Sequence, residues 1–495
     1  MWVLRCAFVI IRLMTTTDSQ KKGKIPGWLA IPEPAKRLPD AEVDQKYPSM
    51  RLQVFMGIFI GYATFYLIRN NVPLVAPILT DQLGFSNTAI GVLSTSLLLA
   101  YGFSKFLTAM ISDRSNARLF LPIGLVLSSI ANILLALTGY MGEGAQAGTA
   151  AAAIASTMAA IMVFNGVFQG MGWPPSGRVL VNWFSTGERG GKVAIWNTAH
   201  NVGAALSGAL VAWGFAAFGK SWEVAFWFPA AASLVLAAIS WFLIRDNPEA
   251  EGLPPIAEYR NDPDKVESTK EDRTESTWTT LRKHVLGNRT IVNLALANVF
   301  VYTLRYGVLV WTPKYLHDVR NASLEGGLMG FSILEISGIF GTLLCGFISD
   351  YVFKGRRSPA GILFLLATVA TILLYSMDAP LWVAMIALAL FGGLIYGPVM
   401  LIGLQAIDLS PSHVAGTAAG FTGLFGYALG ATMASTGVGI IVDIWGWGAA
   451  FGFMIACALI AAAFLFMVNG DEKRLMAERK ARMMRDNVQM DTEAE

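Results

Sequence analysis

Long apolar runs alternate with short polar and charged stretches along this chain, and such runs occur twelve times. Each approaches or exceeds the ~20 residues that a helix needs to cross the hydrocarbon core of a bilayer. They cover residues 52–76, 88–111, 119–139, 150–173, 191–217, 222–244, 290–313, 324–349, 360–377, 380–408, 414–441 and 448–469. The predicted fold class is an all-α integral membrane protein with twelve transmembrane helices. The runs are studded with small residues, including the four-residue spacings Gly166/Gly170 and Gly416/Gly420, which predict close helix approach in lipid.

Composition supports this reading. Apolar residues make up 54% of the chain and charged ones 14%, against roughly 25% in an ordinary soluble domain. A soluble surface for 495 residues cannot be covered with so few charges, so the lipid bilayer is the chain's main partner. Net charge is only +3, which gives no electrostatic case for nucleic acid. Cys6, Cys345 and Cys457 are too scattered for a disulfide framework or a zinc site, and read as small packing residues. No metal, cofactor or enzymatic nucleophile is expected.

The basic residues set the orientation. With the N-terminus in the cytoplasm, 31 of the 37 Lys and Arg lie on that side, and only Lys220, Lys314 and Arg320 lie opposite. The positive-inside rule then puts both termini in the cytoplasm, and the chain is expected as a multi-pass protein of the inner membrane. Five segments follow: a cytosolic stretch 1–50, six spans over 51–245, a hydrophilic linker 246–288, six spans over 289–470, and a charged, solvated helical tail 471–495.

The two sets of six repeat each other. Phe-Tyr-Leu-Ile-Arg69-Asn in the first span parallels Val-Tyr-Thr-Leu-Arg305-Tyr in the seventh, and Ile-Ser-Asp113 parallels Ile-Ser-Asp350. The offsets differ by a single residue, and corresponding spans run in the same direction. Parallel repeats predict two bundles related by a pseudo-two-fold axis along the membrane normal, around a central cavity. The basic residues after each Ile-Ser-Asp (Arg114, Arg118; Lys354, Arg356, Arg357) either set topology or latch the bundles together.

Three cations remain inside the spans: Arg69, Lys105 and Arg305. The arginines lie at similar depths, roughly 25 Å along their helices from the cytoplasmic flank. An arginine in a span costs about 2.5 to 3.5 kcal/mol even on the lenient insertion scale. Two of them ~10 Å apart at an effective dielectric of about 20 repel by a further ~1.7 kcal/mol. Glu335 is the one clear mid-span carboxylate, so an anionic ligand must meet the remaining demand. Two guanidinium forks suit a phosphate gripped from both sides. Tyr62, Tyr66 and Arg69 share a helix face, Tyr302 lies one turn before Arg305, and Asn197, His200 and Asn201 form a polar stripe. Each tyrosine alone is equally explained by packing. Lys105 either snorkels or draws anions to the cytoplasmic mouth, and His200 is either a satisfied core residue or a partner of the phosphate.

Gly214-Phe-Ala-Ala-Phe-Gly219-Lys220-Ser221 matches a phosphate-loop pattern, but no strand precedes it and its lysine lies on the side away from ATP. It is read as coincidence, so any transport is not ATP-driven.

Gly61-Tyr-Ala-Thr-Phe-Tyr-Leu-Ile-Arg69-Asn-Asn, Tyr101-Gly-Phe-Ser-Lys105-Phe, Ser112-Asp-Arg-Ser-Asn-Ala-Arg118, Phe168-Gln-Gly-Met-Gly-Trp-Pro-Pro175, Trp196-Asn-Thr-Ala-His200-Asn, Leu304-Arg-Tyr-Gly307 and Gly416-Thr-Ala-Ala-Gly-Phe-Thr-Gly-Leu-Phe-Gly-Tyr427 together resemble the organophosphate:phosphate antiporters of the major facilitator superfamily, most of all those handling glycerol phosphate. The resemblance implies the major facilitator fold and a monomeric chain, with exchange of an external organophosphate, glycerol 3-phosphate foremost, for cytoplasmic inorganic phosphate by rocking of the bundles. It implies Arg69 and Arg305 as the phosphate-gripping pair, Lys105 and His200 as supporting cations, and Tyr62, Tyr66, Tyr101, Asn197, Tyr302 and Tyr427 as cavity lining, with Glu335 in the charge network. Two positions depart from the pattern: a basic residue after the first arginine and an acidic one five beyond the second are here Asn70 and Val310. A membrane receptor for a sugar phosphate would share these motifs, whereas a proton-coupled exporter of hydrophobic compounds is disfavoured by the excess of cations.

Overall fold

The computed structural model describes residues 26–142, 147–261, 285–410 and 415–494. Cys6 and most of the expected linker lie outside them. In the first half the helices are α1 (Asp40–Leu67), α2 (Asn71–Leu83), α3 (Asn87–Ser112), α4 (Ala117–Leu137), α5 (Ala147–Gln169), α6 (Trp173–Trp183), α7 (Thr186–Asn197), α8 (Ala199–Phe218) and α9 (Val224–Leu243). In the second they are α10 (Arg289–Arg320), α11 (Leu324–Phe347), α12 (Arg357–Ser376), α13 (Leu381–Asp408), α14 (Ala415–Phe425) and α15 (Val438–Ala494), with π-helical turns at Gly426–Gly430 and Met433–Gly437 between the last two.

Among the described residues ten helical stretches are long and apolar enough to cross a membrane, the last of them, Gly416–Leu475, covering two of the twelve expected runs. The pairs α1/α2, α5/α6 and α7/α8 are single crossings interrupted near their middles or ends, whereas α15 is two segments joined at Gly446, whose φ of +77° needs a residue without a Cβ. Several helices outrun their apolar cores. The first begins at Asp40, ahead of the expected boundary at residue 51, because Asp40 and Glu42 favour its first turn.

The duplication survives in how helix starts are capped. Asp246, just past α9, accepts from the Ala117 amide at the start of α4 (2.7 Å) and pairs with Arg178. Burial raises its pKa in spite of that neighbouring charge. In the second half Glu472 accepts from the amides of Arg357 (2.5 Å) and Ser358 (3.0 Å) at the start of α12. The tail is therefore not solvated where it begins, since Glu472 is buried. The basic clusters stay within their own halves: Arg357 pairs with Asp350 and Asp408, and Arg118 donates to the Trp241 carbonyl at 3.2 Å. Among the described residues the contacts of these clusters do not join the bundles, which leaves the topology-setting alternative.

The halves meet at mid-height and at the end away from the chain termini. Lys220 pairs with Glu325 at 2.5 Å, Thr95 and Thr436 share a hydrogen bond of 2.8 Å, and Ser332 donates to the Ala205 carbonyl at 2.8 Å. That pairing also accounts for the lysine of the phosphate-loop look-alike, whose first glycine lies inside α8. Close approach depends on glycine: a Cβ on Gly91 would fall 2.4 Å from the Ser435 carbonyl oxygen, and one on Gly439 would fall 2.6 Å from that of Asn87. Gly166 and Gly170 pack as expected, against Leu97 and Ser104. Gly416 and Gly420 do not: among the described residues a Cβ on either would meet nothing within 4 Å. The helix pair expected there is corrected accordingly.

Candidate functional site

The first crossing breaks at the residue that carries its charge. Ile68 (φ −115°) and Asn70 (φ −101°) leave helical geometry, and α2 restarts at Asn71 with Pro73 in its first turn. Arg69 therefore projects from a joint. Its guanidinium carbon lies 3.9 Å from the Tyr66 ring centre and 4.2 Å from that of Tyr101, and its Nε donates to Gln169 Oε1 at 3.0 Å. Gln169 is oriented for this by donating its own amide to Ser128 Oγ at 2.9 Å. Both terminal nitrogens of Arg69 are buried without a hydrogen-bond partner.

Arg305 rises from the middle of α10, a continuous helix with 89% of its apolar window buried, so it presents almost no face to lipid. The Arg305 guanidinium carbon sits 4.5 Å from the Tyr396 ring centre and 5.2 Å from that of Tyr306. Its Nη2 donates to the Tyr396 hydroxyl at 3.4 Å, and its Nε has no partner. Among the described residues neither arginine has a carboxylate within 4.0 Å. Glu335, 1% exposed, instead accepts from Asn201 Nδ2 at 2.9 Å across the two halves and acts on Arg305 through space.

Aromatic rings close the space between the arginines. Tyr427, carried inward by a π-turn, lies with ring centres 4.9 Å from Tyr101, 5.0 Å from Tyr302 and 6.1 Å from Tyr306. It adjoins both halves. Tyr62 is one layer further out, stacked on Trp196 at 4.5 Å and edge-on to Tyr66. His200 lies 5.3 Å from Tyr66 and 6.0 Å from Tyr396, ring centre to ring centre. Its Nδ1 meets the Asn197 carbonyl, which can only accept, so the proton is on Nδ1 and Nε2 is left for another partner. Arg305, Arg69 and Lys105 all act electrostatically on this ring. Lys105 Nζ rests 4.7 Å from the Trp173 ring centre, at the start of α6.

Ring contacts thus link Arg69 to Arg305 by two routes, through Tyr66, His200 and Tyr396 and through Tyr101, Tyr427 and Tyr306, with Tyr302 on Tyr427 and Lys105 acting electrostatically on His200. Asn197 enters only through its carbonyl; the polar contact of its stripe is made by Asn201. Gln169, Tyr306, Tyr396 and Trp173 were not foreseen in this setting. Gln169 carried a signal, being an amide inside an apolar run. Asn70 and Val310, the two departures from the family pattern, line one recess with Arg69 and Tyr306.

Residues 58–435 match the family model described as Major Facilitator Superfamily. The chain belongs to the major facilitator superfamily. It is 45% identical to the glycerol-3-phosphate transporter of Bacillus subtilis (strain 168), over 89% of this chain and 97% of that protein. It is also 33% identical to the membrane sensor protein UhpC of Escherichia coli (strain K12), over 88% and 97%. Within the superfamily it therefore groups with proteins of the organophosphate family, as the motifs implied. A solved bacterial homologue of the human lysosomal transporter Spinster, inward-facing and unoccupied, shares the fold with a TM-score of 0.64 at 18% identity, over 86% of this chain and 98% of that one.

Proposed function

We propose that this protein is a secondary transporter that exchanges external glycerol 3-phosphate for cytoplasmic inorganic phosphate by alternating access. In this reading it resides in the inner membrane with both termini cytoplasmic. Arg69 and Arg305 hold the phosphoryl group, His200 and Lys105 add positive charge, and Tyr62, Tyr66, Tyr101, Asn197, Tyr302 and Tyr427 line the path. Glu335 tunes the charge balance.

The observation that carries the proposal is the pair of buried guanidinium groups from opposite halves with unpartnered nitrogens and, among the described residues, no carboxylate within 4.0 Å. Buried cations of this kind require an anion. A phosphate offers oxygens to both, and by neutralising both it removes the repulsion that opposes closure of the halves. Inorganic phosphate and a phosphate ester meet the same demand, which makes exchange the natural mode. The contacts at the end away from the termini suit a state open toward the cytoplasm.

Proteoliposomes loaded with phosphate provide the test. External glycerol 3-phosphate should release labelled internal phosphate with near one-to-one stoichiometry, and liposomes without internal phosphate should take up little ester. The similarity to a membrane sensor favours a second reading, in which the same arginines bind ester for signalling. Saturable binding with negligible flux would select it.

A further inference from the structure

We infer that the recess between α2, α3, α5 and α10 receives the organic arm of the phosphate ester and selects for a short polyol. The inference rests on the function proposed above. Arg69, Asn70, Ser94 and Tyr306 furnish polar groups to this recess, while Leu97, Met162 and Val310 are among its apolar lining. Ser94 is 4% exposed, and its hydroxyl has no hydrogen-bond partner. Thr64, Thr80, Ser96 and Thr108 satisfy theirs on the carbonyl four residues back, whereas Ser94, like Ser112, Ser240 and Ser435, does not. Ser94 leaves that bond unmade beside the two unpartnered nitrogens of Arg69. Among the described residues the Asn70 carboxamide, at the joint, likewise has no hydrogen-bond partner.

Donors and acceptors beside aliphatic walls match a chain of alternating C–H and O–H groups. The order is also right, because the recess adjoins the arginine that would hold the phosphoryl end. Both halves contribute to it, through Ser94 on α3 and Val310 on α10, so an arm seated there is enclosed when they meet. In this conformation the free space in the recess is about the size of one water molecule. A terminal hydroxymethyl group is of that order of size and a hexose ring is not. Val310 leaves the wall opposite Asn70 uncharged, so the hydroxyls do not compete with a fixed ion pair.

The test is competition by unlabelled esters against labelled phosphate uptake in proteoliposomes, using methyl phosphate, glycerol 3-phosphate and glucose 6-phosphate. The wild type should rank glycerol 3-phosphate ahead of methyl phosphate, which has no hydroxyl arm. Ser94→Ala should weaken glycerol 3-phosphate relative to methyl phosphate by about fivefold, the effect of one ordinary hydrogen bond. Asn70→Ala, made at the joint, should shift the same ratio and serves if the first variant folds poorly. Ratios unchanged in both variants would overturn the inference. Labelled exchange that no ester inhibits in the wild type would instead overturn the transport reading beneath it.

Discussion

Asp443 in α15 accepts hydrogen bonds from both the backbone amide and the hydroxyl of Thr88, at 2.8 and 2.6 Å. Its other oxygen accepts from the amide and side chain of Asn87 at 3.2 and 2.8 Å. A carboxylate of the second half therefore caps the start of α3 in the first, and that cap exists only while the two halves are together at this end.

Asp443→Asn removes the charge and turns one acceptor into a donor aimed at donors. Loss of a helix cap costs about 1 kcal/mol. The balance should shift about fivefold toward the state open at this end. Labelling of a cysteine introduced at Thr95 by an impermeant maleimide should speed up accordingly, and an unchanged rate would dismiss the cap as a closing contact.

Gly91 lies against the backbone of Ser435, where no side chain can yield. Gly91→Val should hold the halves apart and lower exchange at least tenfold. Binding of phosphate from the open side should survive, as read by quenching of intrinsic tryptophan fluorescence.

Replacing Arg69 with Lys keeps the charge and loses the planar fork. Exchange measured as kcat/KM should fall by about 30-fold or more, the effect of losing charge-assisted hydrogen bonds worth about 2 kcal/mol. Arg305→Lys should behave alike, since Arg305 also offers an unpartnered nitrogen.

Glu335→Gln preserves the acceptor for Asn201 but deletes an acidic field acting on Arg305. The chamber becomes more positive, so the KM for phosphate should fall several-fold while turnover slows through tighter retention. A rise in KM would mean that Glu335 holds Arg305 in place.

Arg69 and Arg305 were legible in the sequence because a charge in an apolar run announces itself, and the repeat supplied their common depth. The crossings were legible for the same reason, as length and hydropathy suffice. Which face a residue shows to which neighbour was not. Gly416 and Gly420 have the spacing of a packing motif yet meet nothing, whereas Gly91 and Gly439 have no motif and touch backbone across the interface. The parts of Tyr396 and Asn201 depend on partners 91 and 134 residues away and leave no local trace. The joint at Arg69 did leave one: Asn70-Asn71-Val-Pro73 is a helix-start pattern in the middle of an apolar run.

That joint makes the two copies mechanically unequal. α10 is continuous through Arg305 over 32 residues, about 48 Å, and its one interior proline, Pro313, comes only near the far rim, so a tug at mid-membrane travels along a stiff rod as far as Trp311. The same tug on Arg69 is spent bending a knuckle. One half of this ancient doubling has become the lever and the other the wrist.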